Sequence, residues 1–488
     1  MKIEALLDGI EILESKGNLD IDISSLNYNS RKIEKDGLFA AIKGLKTDGH
    51  KYIDSAIENG AKAVVLEVMP EDIKDGVTYI KVADSRNAMA KMSAEFYGNP
   101  SRELNLIGIT GTNGKTTTSY IMRAVYEAAG HKVGIIGTIG NIIDGELIET
   151  GTTTPDSLEL QQSFRLMLDK GIDTVIMEVS SHALDLDRVA YSEFDTGIYT
   201  NLSVDHLDYH KDLDDYLEAK KKLFNLTVKK NLVNADDEYG KKILSEEKMQ
   251  TEKTSTYGIE ESDDINASNI KLDSQGVHFR LNTPKGSIDM SCSIPGIFTV
   301  YNSLAAASAA YFDGISLETI KKGIESIEDV KGRFEVVPTD TDFTVIIDFA
   351  HTPDALEKVL KCIREFAEKR IIAVFGAGGD RDNSKRAVMG EISGKYADLS
   401  VVTSDNPRTE DPDSIIAQIV EGVEKSGGEY VTVTDRKDAI NYAVNNAEEG
   451  DIVLLAGKGH ENYVIIGETK YHFDEREVVQ EAVSNMKK

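Results

Sequence analysis

The residues best suited to chemistry are a lysine and threonines set among glycines, in the segment Gly111-Thr112-Asn113-Gly114-Lys115-Thr116-Thr117-Thr118. An apolar run over residues 104–109 precedes it and a helical pattern follows, so the loop joins a buried strand to a helix N-terminus. Backbone N–H groups and a helix start in that order suit a polyphosphate, with Lys115 as a mobile cation and Thr116 as a hydroxyl on the magnesium side. A nucleoside triphosphate is the expected ligand. The spacing is not the strict one, because Ile109 stands where the pattern with four intervening residues places its first glycine. A glycine turn carrying a solvent lysine is the alternative.

Further along, Glu178 ends the apolar run Thr174-Val175-Ile176-Met177, which places a carboxylate at a strand end. An N-cap or a surface acid is the plainer reading. His206 and His210 share a loop with Asp205 and Asp208, but the spacing is not a standard zinc pattern. Two buried, hydrogen-bonded histidines are the competing explanation. Over residues 215–224, Tyr216, Leu217, Lys220, Leu223 and Phe224 follow helical spacing, which predicts that Lys220 faces inward while Lys221 and Lys222 point elsewhere. Desolvation lowers the pKa of an inward lysine, and its neutral amine can react with CO₂. Spacing alone favours a lysine that snorkels to water.

Stepping outward, 488 residues exceed one ordinary core and imply several domains. A small mixed α/β unit with strands at 37–42 and 63–66 ends at the turn Gly98-Asn99-Pro100-Ser101. A longer unit follows to 331, with a helix at 301–311. From Gly332, apolar strands at 345–347, 371–375, 399–402 and 452–455 alternate with helical patterns at 353–366 and 413–425, which predicts a mostly parallel, doubly wound sheet. Loops following parallel strands share one edge. Here they hold Asp348 to Pro353, Gly376 to Asp382, Asp405-Asn406-Pro407-Arg408 and Gly457-Lys458-Gly459-His460-Glu461, so glycines, arginines and acids gather on one rim.

The chain carries 55 basic and 84 acidic residues, a net charge of −29, which argues against nonspecific nucleic-acid or anionic-membrane binding. A phosphate ligand must then be held by local cations and amides. Its two cysteines, Cys292 and Cys362, form no CxxC pair. With no signal-peptide core or bilayer-length apolar run, a reducing, cytoplasmic setting is expected.

Taken together, Gly111 to Thr118, Met177-Glu178-Val179-Ser180-Ser181-His182, Asn201 to His210, Gly332-Arg333-Phe334-Glu335 and Asp348 to Pro353 resemble the Mur ligase family across the whole chain. The resemblance implies an α/β fold of three domains. Residues 1–98 would bind the UDP end of a substrate, 99–331 would form a central P-loop ATPase domain with a mostly parallel sheet, and 332–488 a Rossmann-like, doubly wound domain for the amino acid. It implies an ATP- and Mg²⁺-dependent amide ligase of peptidoglycan precursor assembly, acting through an acyl phosphate, and a monomer. ATP would meet Gly111, Thr112, Asn113, Gly114, Lys115, Thr116 and Thr117, with Asn302 and Arg333 toward adenosine and Asp348 and His351 lining the nucleotide side. Mg²⁺ would be held by Thr116, Glu178, His206 and Lys220, the last as N6-carboxylysine, and Lys115, Glu178, His206 and Lys220 would be catalytic. Ser30, Leu45, Lys46 and Thr47 would grip uridine, and Thr152, Thr153, Thr154, Ser180 and Arg188 the muramyl peptide.

Gly378-Gly379-Asp380-Arg381-Asp382 and Asp405-Asn406-Pro407-Arg408 narrow the resemblance to members that add meso-diaminopimelate to UDP-N-acetylmuramoyl-L-alanyl-D-glutamate. Arg381 and Arg408 suit the second carboxylate of that diamino diacid, because a planar guanidinium holds a carboxylate bidentately. Asp405, Asn406, Pro407, Gly457 and Glu461 would complete the site, with Asn406 and Glu461 on the ammonium. Pairing of Arg408 with Glu410 or Asp411 is the plain alternative. Lysine-adding relatives, folylpolyglutamate synthetases and a nucleotide switch that ligates nothing are the competing functions. Hinges near Gly98-Asn99-Pro100 and Lys331-Gly332 are expected to permit closure.

Overall fold

The computed structural model describes residues 1–488 apart from 45, 46, 261, 262, 274, 275, 487 and 488. Three sheets organise the chain. The first has five strands in the order Glu14–Lys16, Thr78–Lys81, Ala61–Leu66, Gly37–Ala40, Leu26–Asn27, antiparallel only at its first pair.

The central sheet has eleven strands. Its middle is parallel and runs Ile265–Asp273, Thr254–Gly258, Thr227–Asn234, Phe194–Tyr199, Asn105–Thr110, Thr174–Glu178, Val133–Ile136. Antiparallel strands extend both ends, Gly276–Thr283 and Gly286–Cys292 on one side and Asn141–Ile143 and Glu146–Ile148 on the other. The strand that feeds the glycine loop is therefore covered on both sides, as its unbroken apolar sequence requires. Against this sheet pack the helix Lys115–Ala128 and the helix Ile297–Phe312, buried over Leu304 to Ala310. The small side chains of Ala305, Ala306, Ala307, Ala309 and Ala310 favour helix and let the two helices approach closely.

The third sheet has six strands in the order Glu335–Val337, Thr344–Asp348, Ile452–Ala456, Ile371–Phe375, Leu399–Val402, Tyr430–Thr432, antiparallel only at its first pair. Its helices begin where local chemistry dictates. Thr352 Oγ1 accepts from Ala355 N at 3.3 Å with Pro353 at the first helical position of Pro353–Phe366. Asp411 and Pro412 do the same for Pro412–Ser426, which ends on left-handed Gly427 at φ 74°. A hairpin, Tyr463–Ile466 with Thr469–His472, stands apart from the sheet. The expected doubly wound sheet is present. The antiparallel strands Gly276–Thr283 and Gly286–Cys292 were not foreseen; their polar residues alternate with buried Val277, Phe279, Leu281 and Met290, the pattern of strands with one buried face.

Candidate active site

Strand register assembles the first half of the site. Glu178 lies opposite Ile109, and Tyr199 opposite Thr110. Three neighbouring parallel strands thus release the glycine loop, the Glu178 carboxylate and the loop from Thr200 to His210 at one sheet edge. Gly114 needs its left-handed φ of 89°, and a Cβ there would come within 2.5 Å of Asn302 Oδ1. Lys115 Nζ folds back to donate to Gly111 O at 2.8 Å and Thr112 O at 2.9 Å. Burial lowers its pKa, opposed by the charge of Glu178.

Glu178 is itself buried. Its Oε2 accepts from Thr116 Oγ1 at 3.0 Å and Thr138 Oγ1 at 2.9 Å, and its Oε1 from Thr138 N at 2.9 Å. A Cβ at Gly137 would collide with this carboxylate. From the third domain, Arg333 Nη2 donates to Thr116 Oγ1 at 3.1 Å, while the guanidinium packs 4.6 Å from the Phe349 ring centre. Burial lowers the Arg333 pKa and raises that of Asp348, each offset by the other's charge. Asp348 accepts from Phe334 N at 2.7 Å and Ala350 N at 2.8 Å. Asn302 and Arg333 were expected toward adenosine. Both lie against the phosphate loop and the helix it opens, because the Ile297–Phe312 helix packs beside Lys115–Ala128 and Arg333 reaches across from the opposite domain.

The histidine loop divides as its environments dictate. His210 is buried, with Nε2 2.9 Å from Ser181 Oγ, Nδ1 3.2 Å from Asp215 Oδ2, and its ring stacked 4.8 Å from Tyr216. That arrangement is the hydrogen-bonded core histidine weighed from sequence. His206 adopts φ 55°, its Nε2 lies 3.5 Å from Asp205 Oδ2, and burial holds its pKa down to about 4. Lys220 is buried, its ammonium 4.3 Å from the Tyr216 ring centre, and among the described residues it forms no ion pair. Burial and the nearby Lys115 charge drive its pKa well below the ordinary value. Lys221 does not point away as expected. It is buried too, with its charge met by Glu218 and Glu246, whereas Lys222 reaches Asp185 at 2.8 Å.

Two sets of candidate Mg²⁺ ligands emerge rather than one. Thr116 and Glu178 already converge, and their oxygens are the hard donors that Mg²⁺ takes. Lys220 and His206 form the second set, close enough for each lysine charge to lower the His206 pKa. Among the described residues no group of three or more His, Cys, Asp or Glu is arranged around one point. The Thr116 hydroxyl beside the Glu178 carboxylate suits Mg²⁺ by the chemistry of its donors.

The second half of the site faces the first. A cavity of about 850 Å³ opens between the central and third domains. One wall carries Ser203, Asp205 and His206; the other carries His351, Arg381, Asp405, Asn406, Arg408 and Glu461. Asp354 ties the walls together, accepting from Asn113 Nδ2 at 2.8 Å and Ser203 Oγ at 2.9 Å. His351 Nδ1 donates to Phe349 O at 2.8 Å, which leaves Nε2 as the acceptor. Arg381 is exposed on the rim. Arg408 does not pair with Glu410 or Asp411. Its Nη1 donates to Gly379 O at 2.8 Å, and Glu410 is taken by Arg386 at 2.9 Å. Asn406 Nδ2 donates to Glu461 Oε2 at 2.9 Å, so this amide positions Glu461. Gly457 at φ 118° lets its loop pass Asp405, where a Cβ would lie 2.7 Å from Oδ2. Burial would raise the Asp405 pKa, but Lys458 and Arg436 outweigh it and hold the group low. Burial raises Glu461, partly countered by Lys458.

The remaining predicted residues fall into two places. Thr154 Oγ1 donates to Glu178 O at 2.9 Å and accepts from Ser180 N at 3.1 Å, and Arg188 Nη1 donates to Thr154 O at 3.0 Å. Thr153 reaches Thr138 at 3.1 Å, and the Thr152 carbonyl accepts from Thr150 Oγ1 at 3.1 Å. These residues thus flank Glu178. Ser30, which is buried, and Thr47, 3.3 Å from the Tyr52 hydroxyl, belong to the first domain, and neither lines the cavity. The contacts predicted for Leu45 and Lys46 lie outside the described residues. Sequence reasoning missed Thr138, Lys385 and Lys458. Lys385 Nζ donates to His351 O at 3.0 Å and feels Asp205 on one wall and Asp405 on the other. Lys458 lay inside a loop already marked as part of the rim, and its burial was the missing signal.

The fold is that of a three-domain α/β protein with a phosphate loop facing a second wall, and comparison with known proteins gives the class. Residues 22–97 match the Mur ligase family catalytic domain, 109–310 the Mur ligase middle domain, and 332–459 the Mur ligase glutamate ligase domain. The chain belongs to the Mur ligase family. It is 50% identical over 488 residues, covering 100% of both chains, to the UDP-N-acetylmuramoyl-L-alanyl-D-glutamate--2,6-diaminopimelate ligase of Clostridioides difficile (strain 630). It is 48% identical over 490 residues, again covering 100% of both, to the protein of that name from Caldanaerobacter subterraneus subsp. tengcongensis. A solved structure of a UDP-N-acetylmuramoyl-L-alanyl-D-glutamate--2,6-diaminopimelate ligase superposes with a TM-score of 0.71 at 31% identity, covering 100% of this chain and 99% of that one.

Proposed function

We propose that this chain joins meso-diaminopimelate to the D-glutamyl γ-carboxylate of UDP-N-acetylmuramoyl-L-alanyl-D-glutamate, with ATP converted to ADP and phosphate, in peptidoglycan precursor assembly in the cytoplasm. One observation carries the reading. A single cavity has the histidine loop on one wall and paired arginines with paired acids on the other, and Asp354 at its edge holds Asn113 of the phosphate loop. That is the polarity a diamino diacid requires. The relatives named above supply the substrate names.

In this reading residues 1–98 hold the UDP end, 99–331 the triphosphate, and 332–488 the amino acid, in a monomer. Loop amides 111–117 and Lys115 hold the phosphates, and Arg333 brings a cation from the third domain to Thr116. Asn302 backs that loop at Gly114 and Thr118, Asp348 holds the turn that carries Arg333 through Phe334 N on the nucleotide side, and His351 offers Nε2 to the cavity edge. Thr152, Thr153, Thr154, Ser180 and Arg188 present the muramyl peptide beside Glu178. Ser30, Leu45, Lys46 and Thr47 hold uridine. The γ-carboxylate oxygen attacks the terminal phosphorus and ADP leaves. The resulting acyl phosphate is opened by the amine, which loses a proton and expels phosphate. Charge gathers first on phosphate oxygens and then on an oxyanion, and both are met by fixed cations and N–H donors. Mg²⁺, when bound by Thr116, Glu178, His206 and carbamoylated Lys220, supplies electrostatic stabilisation of those oxygens. A neutral, buried Lys220 amine is the form that carbamoylation needs.

The test labels the dipeptide γ-carboxylate with oxygen-18 and follows ADP release with diaminopimelate or lysine. Label in the released phosphate and a preference for diaminopimelate are expected. Unlabelled phosphate removes the acyl phosphate, a lysine preference removes the substrate assignment, and turnover without any amine favours a nucleotide switch.

A further inference from the structure

Lys458 is fully buried and lies behind the rim rather than on it. Its ammonium donates to Asn406 Oδ1 at 3.1 Å and Tyr463 O at 2.8 Å, and lies 3.6 Å from Glu461 Oε2 and 3.9 Å from Asp405 Oδ1. Asn406 closes the circuit. Its Nδ2 donates to Glu461 Oε2 at 2.9 Å, and its Oδ1 also accepts from Ile465 N at 2.9 Å. One side chain therefore touches all three polar residues that face the cavity at this end, and a carbonyl of the hairpin that backs them.

Charge makes the arrangement specific. Asp405 is buried and Glu461 half-buried in one pocket, and without a cation between them one would take up a proton. With Lys458 in place both can stay ionised, which leaves a single negative charge toward the cavity. That charge matches one ammonium. The hairpin continues the same device: Arg408 N donates to Ile465 O at 3.1 Å and Gly467 N to Arg408 O at 2.7 Å, so Arg408 is held in its left-handed conformation at φ 52°. The strand that receives the Lys458 bond is thus also the strand that aims Arg408.

We propose that Lys458 is the positioning residue of the amine-substrate pocket: it fixes Asp405, Asn406 and Glu461 as an ammonium receptor carrying one net negative charge, in register with the carboxylate-binding arginine. This deepens the proposed function and rests on it in taking the ammonium to belong to the incoming diamino acid.

The test uses the full-length chain with Lys458→Met and Lys458→Gln. The glutamine variant keeps a donor for Tyr463 O and Asn406 Oδ1, so it preserves the fold if the cavity left by methionine does not. Circular dichroism melting checks both. Steady-state ADP release is expected to show the KM for diaminopimelate raised about tenfold or more, with the KM values for ATP and the UDP-dipeptide unchanged. The acid limb of kcat/KM for diaminopimelate should also move to higher pH. Glu461, faced by Lys458, Asp405, Asn406, Tyr463 and, from the helix behind, Arg436, loses its nearest cation and protonates more readily. A purely structural lysine would affect all three substrates alike and leave that limb in place, which overturns the inference. So does a folded Lys458→Gln with wild-type KM and pH profile. Wild-type protein that releases no ADP in response to diaminopimelate overturns the substrate reading first and this inference with it.

Discussion

Replacing Arg408 by alanine separates the ligand role of this residue from its scaffold role. Nη1 is spent on Gly379 O at 2.8 Å, which leaves Nη2 and Nε for a bidentate carboxylate. Truncation therefore removes two things. The tie to Gly379 is a charged hydrogen bond of about 1.5–3 kcal/mol, and its loss loosens the rim for any amine. The contact to a far carboxylate is available only to diaminopimelate, and losing one partner of such a pair costs about 2–5 kcal/mol. At about 1.4 kcal/mol per decade, the second effect lowers kcat/KM roughly 30-fold to roughly 4,000-fold. Lysine lacks that carboxylate, so the ratio of kcat/KM for diaminopimelate to that for lysine isolates the ligand contact, because the loosened rim cancels. Arg408→Lys should fall between, retaining charge but not the planar fork. The assay is ADP release with each amine at saturating ATP and UDP-dipeptide. If both amines lose activity in parallel and the ratio moves less than about threefold, Arg408 is a scaffold residue and the carboxylate must be read elsewhere.

Lys220→Ala should lose activity by about 10- to 100-fold or more, with partial recovery on adding short carboxylic acids that replace the carbamate. Full activity without them would remove the carbamate from the mechanism. His206, held down to about 4 by burial against an ordinary 6.5, binds fewer protons folded than unfolded between those values. Its stabilising contribution is therefore complete above pH 6.5 and is lost as pH falls toward 4, and an NMR titration of its ring should show a midpoint near 4. A midpoint above about 6 would refute the burial argument. Arg436 pairs with Glu475 at 2.8 Å, both fully buried, and also donates to Ala456 O at 2.9 Å. Arg436→Met strands the glutamate, so urea unfolding should report a loss of about 3–5 kcal/mol, and a loss below about 1 kcal/mol would show that the pair relaxes freely.

Much of this was legible in the sequence because parallel sheets write a simple rule. Continuous apolar strands such as Ile371-Ile372-Ala373-Val374-Phe375 announce burial on both faces, and polar loops that follow such strands must meet at one edge. Glu178 and the loops at 376 and 405 could be placed that way. What remained hidden depends on side-chain direction and on contacts distant in sequence. Helical spacing separates Lys220 from Lys222 but not from Lys221, whose burial depends on Glu246, a residue from another element. Arg333 could be marked as important, yet its reach to Thr116 spans 217 positions and is set by how two domains meet. The antiparallel strands Gly276–Thr283 and Gly286–Cys292 carry the alternation of half-buried strands, and that alternation, not a continuous apolar run, is the signal that could have announced them. Gly332 is a boundary by sequence, but in the fold a Cβ there would collide with the backbone at Gly459 and His460, so the glycine at the expected hinge is also a packing requirement.

The overall acidity of the chain and the buried cations near its phosphate loop are two parts of one design. A net charge of −29 repels a polyanionic nucleotide at long range, but at physiological salt that field fades beyond about 8 Å. Around the phosphate loop the decisive charges are local and buried. Lys115, Lys385 and Arg333 all have their pKa values lowered, burial being the first cause in each. Such groups are cations held in a place that disfavours charge, so an anion arriving beside them relieves a penalty that the folded protein already bears. Affinity for phosphate and carboxylate is then decided over the last few ångströms by geometry, and the acidic exterior contributes solubility without competing for it. The same logic explains why the amine end of the cavity is built differently. There the acids Asp405 and Glu461 must keep their charge, and a buried lysine stands behind them to make that affordable.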